Sequence, residues 1–207
     1  MTDHRPLFIV IEGLDGSGKT TQIEMLRDHL QARGEACYLT AEPTELITGR
    51  MIRSILRHEQ TVDPRTLAAL FAADRVEHIF HPAEGLLAQL AAGYHVIASR
   101  YYFSSLAYQS EHVDPGWIAA LNRQAKHTLP ADLTIFLDLD PQTSMDRITS
   151  RTEDTELFET VEKLTHVRES FLQAFDVFGE GENIVTVDAS RPPVAVADDI
   201  ARLVDML

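Results

Sequence analysis

Cysteine is almost missing from this chain: Cys37 is the only one in 207 residues. An internal disulfide framework and a cysteine-based zinc site are thereby excluded. Positive charge is also scarce. Against 32 Asp and Glu stand 18 Lys and Arg, a formal net charge of −14. A general DNA- or RNA-binding surface needs a basic patch to neutralise phosphates, so no nucleic-acid partner is expected. No apolar run approaches the roughly 18 residues of a membrane-spanning helix, so no membrane partner is expected either. Met1 to Pro6 is polar and lacks the parts of a secretory signal, which makes a reducing cytoplasm the expected compartment. The nine histidines show no HExxH spacing, and His78 and His81, three apart, have no evident third ligand. They read as surface or internally satisfied residues.

What is present is ordinary for a globular protein: 44% hydrophobic and 24% charged residues, with no repeat and no low-complexity stretch. Only Lys19, Lys126 and Lys163 are lysines, so most cations are arginines. The planar arginine fork suits phosphate recognition, although compositional bias would produce the same excess.

Strand and helix patterns alternate along the chain. Leu7 to Ile11 is a continuous apolar run, as a central strand buried on both faces requires. A helical pattern over 19–33 stops at Gly34. A strand is expected over 36–40 and a short helix over 46–56. Asp63-Pro64 opens a long helical stretch toward Ala92, which Pro82 should break or kink and Gly93 should end. Further strands are expected over 94–98, 133–137 and 184–187, with helices over 115–127, 141–150, 157–178 and 194–206. The polar run 151–155 reads as an exposed connection. Five parallel strands flanked by helices make one doubly wound α/β domain spanning 1–207.

Gly13-Leu14-Asp15-Gly16-Ser17-Gly18-Lys19-Thr20 matches GxxxxGK[ST] at every fixed position. It follows the first strand and opens a helix, the context that the motif requires. Glycines allow a tight turn whose backbone N–H groups converge on phosphate oxygens, and the helix N-terminus points at the same oxygens. Lys19 adds a point charge for the β- and γ-phosphates, and the Thr20 hydroxyl is a candidate Mg²⁺ ligand. The loop therefore calls for a nucleoside triphosphate with Mg²⁺, bound by 13–20 and Thr21. It does not say what is done with it, since the same loop serves many functions. A GTPase switch is disfavoured, because the only asparagines, Asn122 and Asn183, form no NKxD guanine motif.

Several later segments resemble the thymidylate kinase family, and the resemblance covers most of the chain. Glu42-Pro43-Thr44 with Gly49-Arg50-Met51-Ile52-Arg53 is similar to that family's segment after the second strand. Leu70-Phe71-Ala72-Ala73-Asp74-Arg75-Val76-Glu77-His78 is similar to its LFAADRxxH helix. Arg100-Tyr101-Tyr102-Phe103-Ser104-Ser105-Leu106-Ala107-Tyr108-Gln109 is similar to its RYxxSSxAYQ segment. The fold implied is a P-loop NTPase-type sheet with a short arginine-bearing lid at about 147–157. The activity implied is phosphorylation of dTMP to dTDP with ATP and Mg²⁺, on the route to dTTP.

The same resemblance implies roles. Asp15 faces the acceptor sugar, and Glu42, Arg53, Arg100 and Ser104 join the acceptor site. Phe71 stacks on the base, and Arg75 bonds its carbonyl edge. Ser105 and Gln109 read the rest of that edge. Tyr108 packs beneath the sugar where a 2′-hydroxyl would lie. Arg147 covers the adenine, and Arg151 reaches the transferring phosphoryl group. Lys19, Arg100, Arg151 and Asp15 form the catalytic set, and a homodimer through helices is implied.

Plainer readings stand beside these. Phe71 fits a helical core stripe, Arg75 a charged face, Ser104 and Ser105 a helix cap, and Arg147 a helix C-terminus favoured by its dipole. Arg168 is read as mainly structural. The chain also departs from the family. Ser99 stands where an Asp precedes the arginine of the third strand and holds waters of the Mg²⁺ shell, and Ala41 replaces an arginine before Glu42. Glu12 or Glu42 is a candidate to compensate. Gly16 occupies a position that is basic in some members, so charge must come from the lid. The alternatives are a kinase for another deoxynucleoside or deoxynucleotide, and a catalytically weak nucleotide-binding paralogue.

Overall fold

A computed structural model describes residues 5–150 and 160–207 of the chain. Its centre is β1 (Phe8–Gly13), every residue of which is buried. The chain then runs through α1 (Lys19–Ala32), β2 (Cys37–Ala41), α2 (Ile47–Leu56), α3 (Pro64–Phe80), α4 (Leu86–Ala91) and β3 (His95–Ser99). It continues through α5 (Tyr102–Gln109), α6 (Pro115–Thr128), β4 (Leu133–Asp138), α7 (Pro141–Thr149), α8 (Val161–Phe178), β5 (Ile184–Asp188) and α9 (Pro193–Val204). The strands form one sheet in the order β2-β3-β1-β4-β5, and every pairing is parallel.

Alternation along β1 divides the core. Phe8 and Val10 join Phe136, Phe171 and the apolar residues of α5 and α6 on one face of the sheet. Ile9 and Ile11 join Ile135, Leu137, Ile23, Leu26 and Ile200 on the other, under α1 and α9. Each large side chain buried in this way contributes roughly 1.5–3 kcal/mol. On the first face, Phe171 and Phe175 of α8 pack against Tyr108 and Phe103 of α5, with ring centroids 6.0 and 4.9 Å apart. That contact fixes α8 beside α5.

From β1 the chain moves to one side of the sheet for β2 and β3, then to the other for β4 and β5. The carboxyl ends of β1 and β3 therefore flank a topological switch point, where ligands collect in such sheets.

The helix expected from Pro64 toward Ala92 is broken, as Pro82 demands. His81 is extended (φ −57°, ψ 128°), and α4 restarts at Leu86. Gly93, at φ 92°, turns the chain out of it. The expected helix over 157–178 begins at Val161, and 157–159 lie outside the described residues. Strand ends shift by one or two residues.

One element was not anticipated. The stretch 102–109, YFSSLAYQ, is the helix α5. Its start has no local cap. Glu12, from the end of β1, accepts hydrogen bonds from Tyr101 N (2.9 Å), Ser104 N (3.1 Å) and Ser104 Oγ (2.6 Å). Ser104 and Ser105 thus lie inside this helix rather than capping it, and the cap comes from 92 residues upstream.

Candidate functional site

The first part of the site is built by the turn after β1. Gly13 has φ 146°, and a Cβ there would lie 2.8 Å from both Leu137 O and Ser17 Oγ. Gly16 (φ 80°) and Gly18 (φ 96°) take left-handed conformations that other residues adopt only under strain. The loop then feeds straight into α1. Ser17 N donates to Leu14 O, and Ser17 Oγ is buried without a partner among the described residues. Lys19 is buried, and its Nζ donates to Gly13 O (3.0 Å) and Leu14 O (2.7 Å) while lying 3.5 Å from Asp15 Oδ1. Burial, with the neighbouring Arg100 charge, lowers its pKa to about 8. A buried cation, an unpartnered hydroxyl and a helix N-terminus around one turn fit a polyphosphate. Thr20, in the first turn of α1, is exposed and available to a hydrated cation.

The second part is a cavity of about 410 Å³ beside the loop. Nine of the ten expected acceptor residues line it: Asp15, Glu42, Phe71, Arg75, Arg100, Ser104, Ser105, Tyr108 and Gln109. Phe71 is only partly buried and belongs to the cavity wall rather than to either core cluster, so the plain core reading of it is set aside. The tenth, Arg53, is elsewhere. It donates to Pro43 O (2.6 Å) and Thr44 O, pairs with Glu45, and faces a separate hollow with Thr44 and His78. Its side chain ties α2 to the turn after β2.

Arg100 has φ 70°, a left-handed conformation that costs a non-glycine residue about 1 kcal/mol or more. It is held there at both ends. Its N donates to Ile11 O, and the next residue is tied to Glu12. The guanidinium reaches Asp15 Oδ1 (2.5 Å), Tyr108 Oη (3.1 Å) and Ser104 Oγ (3.2 Å), and lies 4.6 Å from the Tyr108 ring centre. That uses three of five N–H groups; two remain without a partner among the described residues. Partial burial works against the Asp15 charge, but Arg100 and Lys19 outweigh it and hold the carboxyl well below the usual range. Burial raises the pKa of Glu12, against the pull of Ser104 and Arg100.

Arg75 is a contrast. It is 1% exposed, so the charged-face reading fails. It donates to Glu42 Oε2 (2.8 Å), Ser105 Oγ (3.1 Å), Tyr101 O (3.0 Å) and Asn122 Oδ1, and its Nη2 lies 2.6 Å from Glu42. It is a fixed part of the cavity floor. Glu42 also meets His78 Nδ1 at 3.0 Å, and His78 Nε2 meets Thr40 Oγ1 at 2.7 Å. His78 is thus an internally satisfied residue, as the sequence indicates.

Helix α7 covers the loop from the other side. Ser144 Oγ donates to Asp15 O, and Arg147 Nη2 donates to Ala189 O at 3.2 Å. Arg168 forms a two-pronged pair with Asp138 at 2.6 and 2.8 Å. Arg151 and most of the expected lid lie outside the described residues.

Ser99 ends β3 beside the site, half-buried, and its O accepts from Glu42 N. Neither candidate replacement for the missing carboxylate is free: Glu12 caps α5 and Glu42 neutralises Arg75. Sequence reading missed three features of the site: Asn122 in the floor, Glu12 as a helix cap, and Lys163 in the cavity wall. Two carried a signal. Glu12 is an acid closing an apolar strand, and Lys163 is one of only three lysines.

Residues 11–200 match the family model "Thymidylate kinase". A protein named "Probable thymidylate kinase" from Pyrococcus horikoshii is 40% identical over 182 residues, covering 85% of this chain and 86% of its own. One of the same name from Thermococcus kodakarensis is 36% identical, covering 97% and 98%. A "Thymidylate kinase" from Bifidobacterium longum subsp. infantis is 42% identical over 149 residues, covering 69% and 63%. On the strength of that match and of a phosphate loop opening onto a preformed acceptor cavity, the chain belongs to the thymidylate kinase family and is a nucleotide-binding kinase.

Proposed function

We propose that this protein transfers the γ-phosphoryl group of ATP to dTMP, giving dTDP and ADP. One observation carries the reading: Asp15 touches both Lys19 in the phosphate loop and Arg100 in the acceptor cavity, at 3.5 and 2.5 Å. The places for two anions therefore meet at one carboxylate, as in-line transfer between them requires.

The roles follow from the atoms available. The loop residues Gly13 to Thr21 bind the ATP phosphates, with Lys19 spanning the cradle. Thr20 would hold Mg²⁺, which would supply neutralising charge to the phosphates. Arg100 offers its two free N–H groups to the acceptor phosphate. The exposed edge of Phe71 provides a stacking face for the base. Gln109 Oε1 is buried without a partner among the described residues, which suits the N–H of a thymine edge. Ser105, held from below by Arg75, addresses the carbonyl of that edge, and Tyr108 closes the space under the sugar. Asp15 accepts from the sugar hydroxyl. Arg147 lies over the adenine, and Arg151 brings charge to the transferring group. Such an arginine is worth about 10³–10⁵ in rate. No covalent intermediate is needed, because positioning and charge stabilisation suffice.

The chain acts in this reading as one domain with its lid at about 147–157, in the cytoplasm, as a homodimer. The apolar residues Ile47 and Met51 of α2 and Val76 and Phe80 of α3, all exposed, support a helical interface. No helix among the described residues is long and apolar enough to cross a membrane.

The test is purified protein with ATP, Mg²⁺ and each nucleoside monophosphate in turn. Formation of dTDP from dTMP with the highest kcat/KM is expected. No product from dTMP, while another monophosphate is phosphorylated, overturns the substrate assignment. Arg100→Ala should raise the dTMP KM or lower kcat far more than it changes ATP binding.

A further inference from the structure

Lys163 stands on the third residue of α8, partly buried, and lines the acceptor cavity beside Tyr108, Glu111 and His112. No hydrogen bond or ion pair engages its ammonium group among the described residues. The other two lysines are both tied down: Lys19 in the phosphate loop, and Lys126 by Phe178 O (2.5 Å) and Glu182 (2.9 Å). The cavity's arginines are committed as well, Arg75 wholly and Arg100 in part. Its place on the helix is also locally unfavourable. The first turn of a helix carries partial positive charge, which disfavours a cation there. Thr160 already caps Lys163 N at 3.2 Å, so the side chain brings nothing to the helix end. A cation without a partner among the described residues, kept at an electrostatic cost and facing a cavity in a protein of net charge −14, is explained by an anion that arrives there.

We infer that Lys163 is a further acceptor-binding residue: it contacts the 5′-phosphate of the incoming nucleoside monophosphate and shares its charge with Arg100. This rests on the functional reading above. The acceptor is a dianion entering an acidic protein, and Arg100 is half-neutralised by Asp15 before it arrives. A second, uncommitted cation raises capture and completes charge balance at the phosphate. The helix that carries it is held against the cavity wall by the Tyr108–Phe171 contact, on the face that runs from Lys163 through Val167 to Phe171.

The test compares dTMP with thymidine, which lacks the phosphate. Steady-state rates with ATP and Mg²⁺ give the dTMP KM, and competition gives the thymidine inhibition constant, for the native protein, Lys163→Gln and Lys163→Arg. Lys163→Gln should raise the dTMP KM about tenfold, equivalent to about 1.4 kcal/mol. The thymidine constant should stay within twofold, and the dependence of dTMP kcat/KM on salt should flatten. Lys163→Arg should recover most of the loss. An unchanged dTMP KM in Lys163→Gln overturns the inference. So does an equal weakening of dTMP and thymidine, which would mark a packing role. If the native protein phosphorylates another monophosphate instead of dTMP, the substrate reading falls separately, and the same comparison runs with that nucleotide against its nucleoside.

Discussion

The Glu42→Ala substitution probes the floor of the acceptor cavity. Glu42 and Arg75 side chains are 2% and 1% exposed, and Glu42 is the carboxylate that neutralises Arg75. Its oxygens meet Arg75 Nε at 2.8 Å, Arg75 Nη2 at 2.6 Å and His78 Nδ1 at 3.0 Å. Truncation leaves a buried guanidinium with neutral acceptors only: Ser105, Asn122 and the Tyr101 carbonyl. Removing one partner of a buried pair costs about 3–5 kcal/mol. That is a large share of the roughly 5–15 kcal/mol that holds a domain folded. For a chain of this size it lowers Tm by about 6–20 °C, at roughly 2–4 °C per kcal/mol. Urea denaturation at pH 7 measures it directly. The dTMP KM should rise in parallel, because Arg75 positions Ser105. A double-mutant cycle with Arg75→Met separates the pair from the cavity left behind, since the second substitution should cost much less once the first is made. A loss below about 1 kcal/mol for Glu42→Ala, with no coupling in the cycle, would refute the assignment of Arg75 as a desolvated, Glu42-dependent element of the floor.

Three further outcomes follow from the phosphate loop. The folded-state pKa of Lys19, about 8, lies below its ordinary 10.5, so the unfolded chain holds more protons between those values. This group therefore makes stability rise with pH across that window, and ATP affinity should fall above pH 8 with proton uptake on binding, measurable by calorimetry in buffers of different ionisation enthalpy. Gly16→Arg, which would mimic relatives with a basic loop, should weaken ATP binding and cost at least about 1 kcal/mol in thermal unfolding. The residue has φ 80°, and a Cβ would sit 2.7 Å from Ser144 O. Ser99→Asp should strengthen Mg²⁺ dependence or raise kcat, because neither Glu12 nor Glu42 is free to serve; unchanged Mg²⁺ titration curves would show that the work is done elsewhere.

Much of this protein was legible in order along the chain. The apolar run before Gly13, the GxxxxGK[ST] spacing and the alternating strands and helices are local signals, and local physics decides them. A buried parallel strand has to be apolar throughout, and a phosphate turn has to have glycines at positive φ. The breaks at Pro82 and Gly93 are equally local. The family segments gave most of the acceptor set by position.

The remainder depended on partners far apart in sequence. Helix α5 has no local cap and begins where it does because Glu12, at the end of a strand, satisfies its first N–H groups. Arg53 reads as a ligand residue, and its side chain bonds the carbonyls of Pro43 and Thr44 outside the residues that line the cavity. Arg75 reads as a surface charge, yet Glu42, Ser105 and Asn122 enclose it from three different elements. Lys163 gains its position only when Phe171 packs on Tyr108. By itself, then, the sequence determined the sheet, the turn that receives triphosphate and the residue types that meet an acceptor. Only the tertiary structure decided which arginine keeps free donors and which is spent, because a side chain's charge is available to a ligand only after the fold has chosen its neighbours.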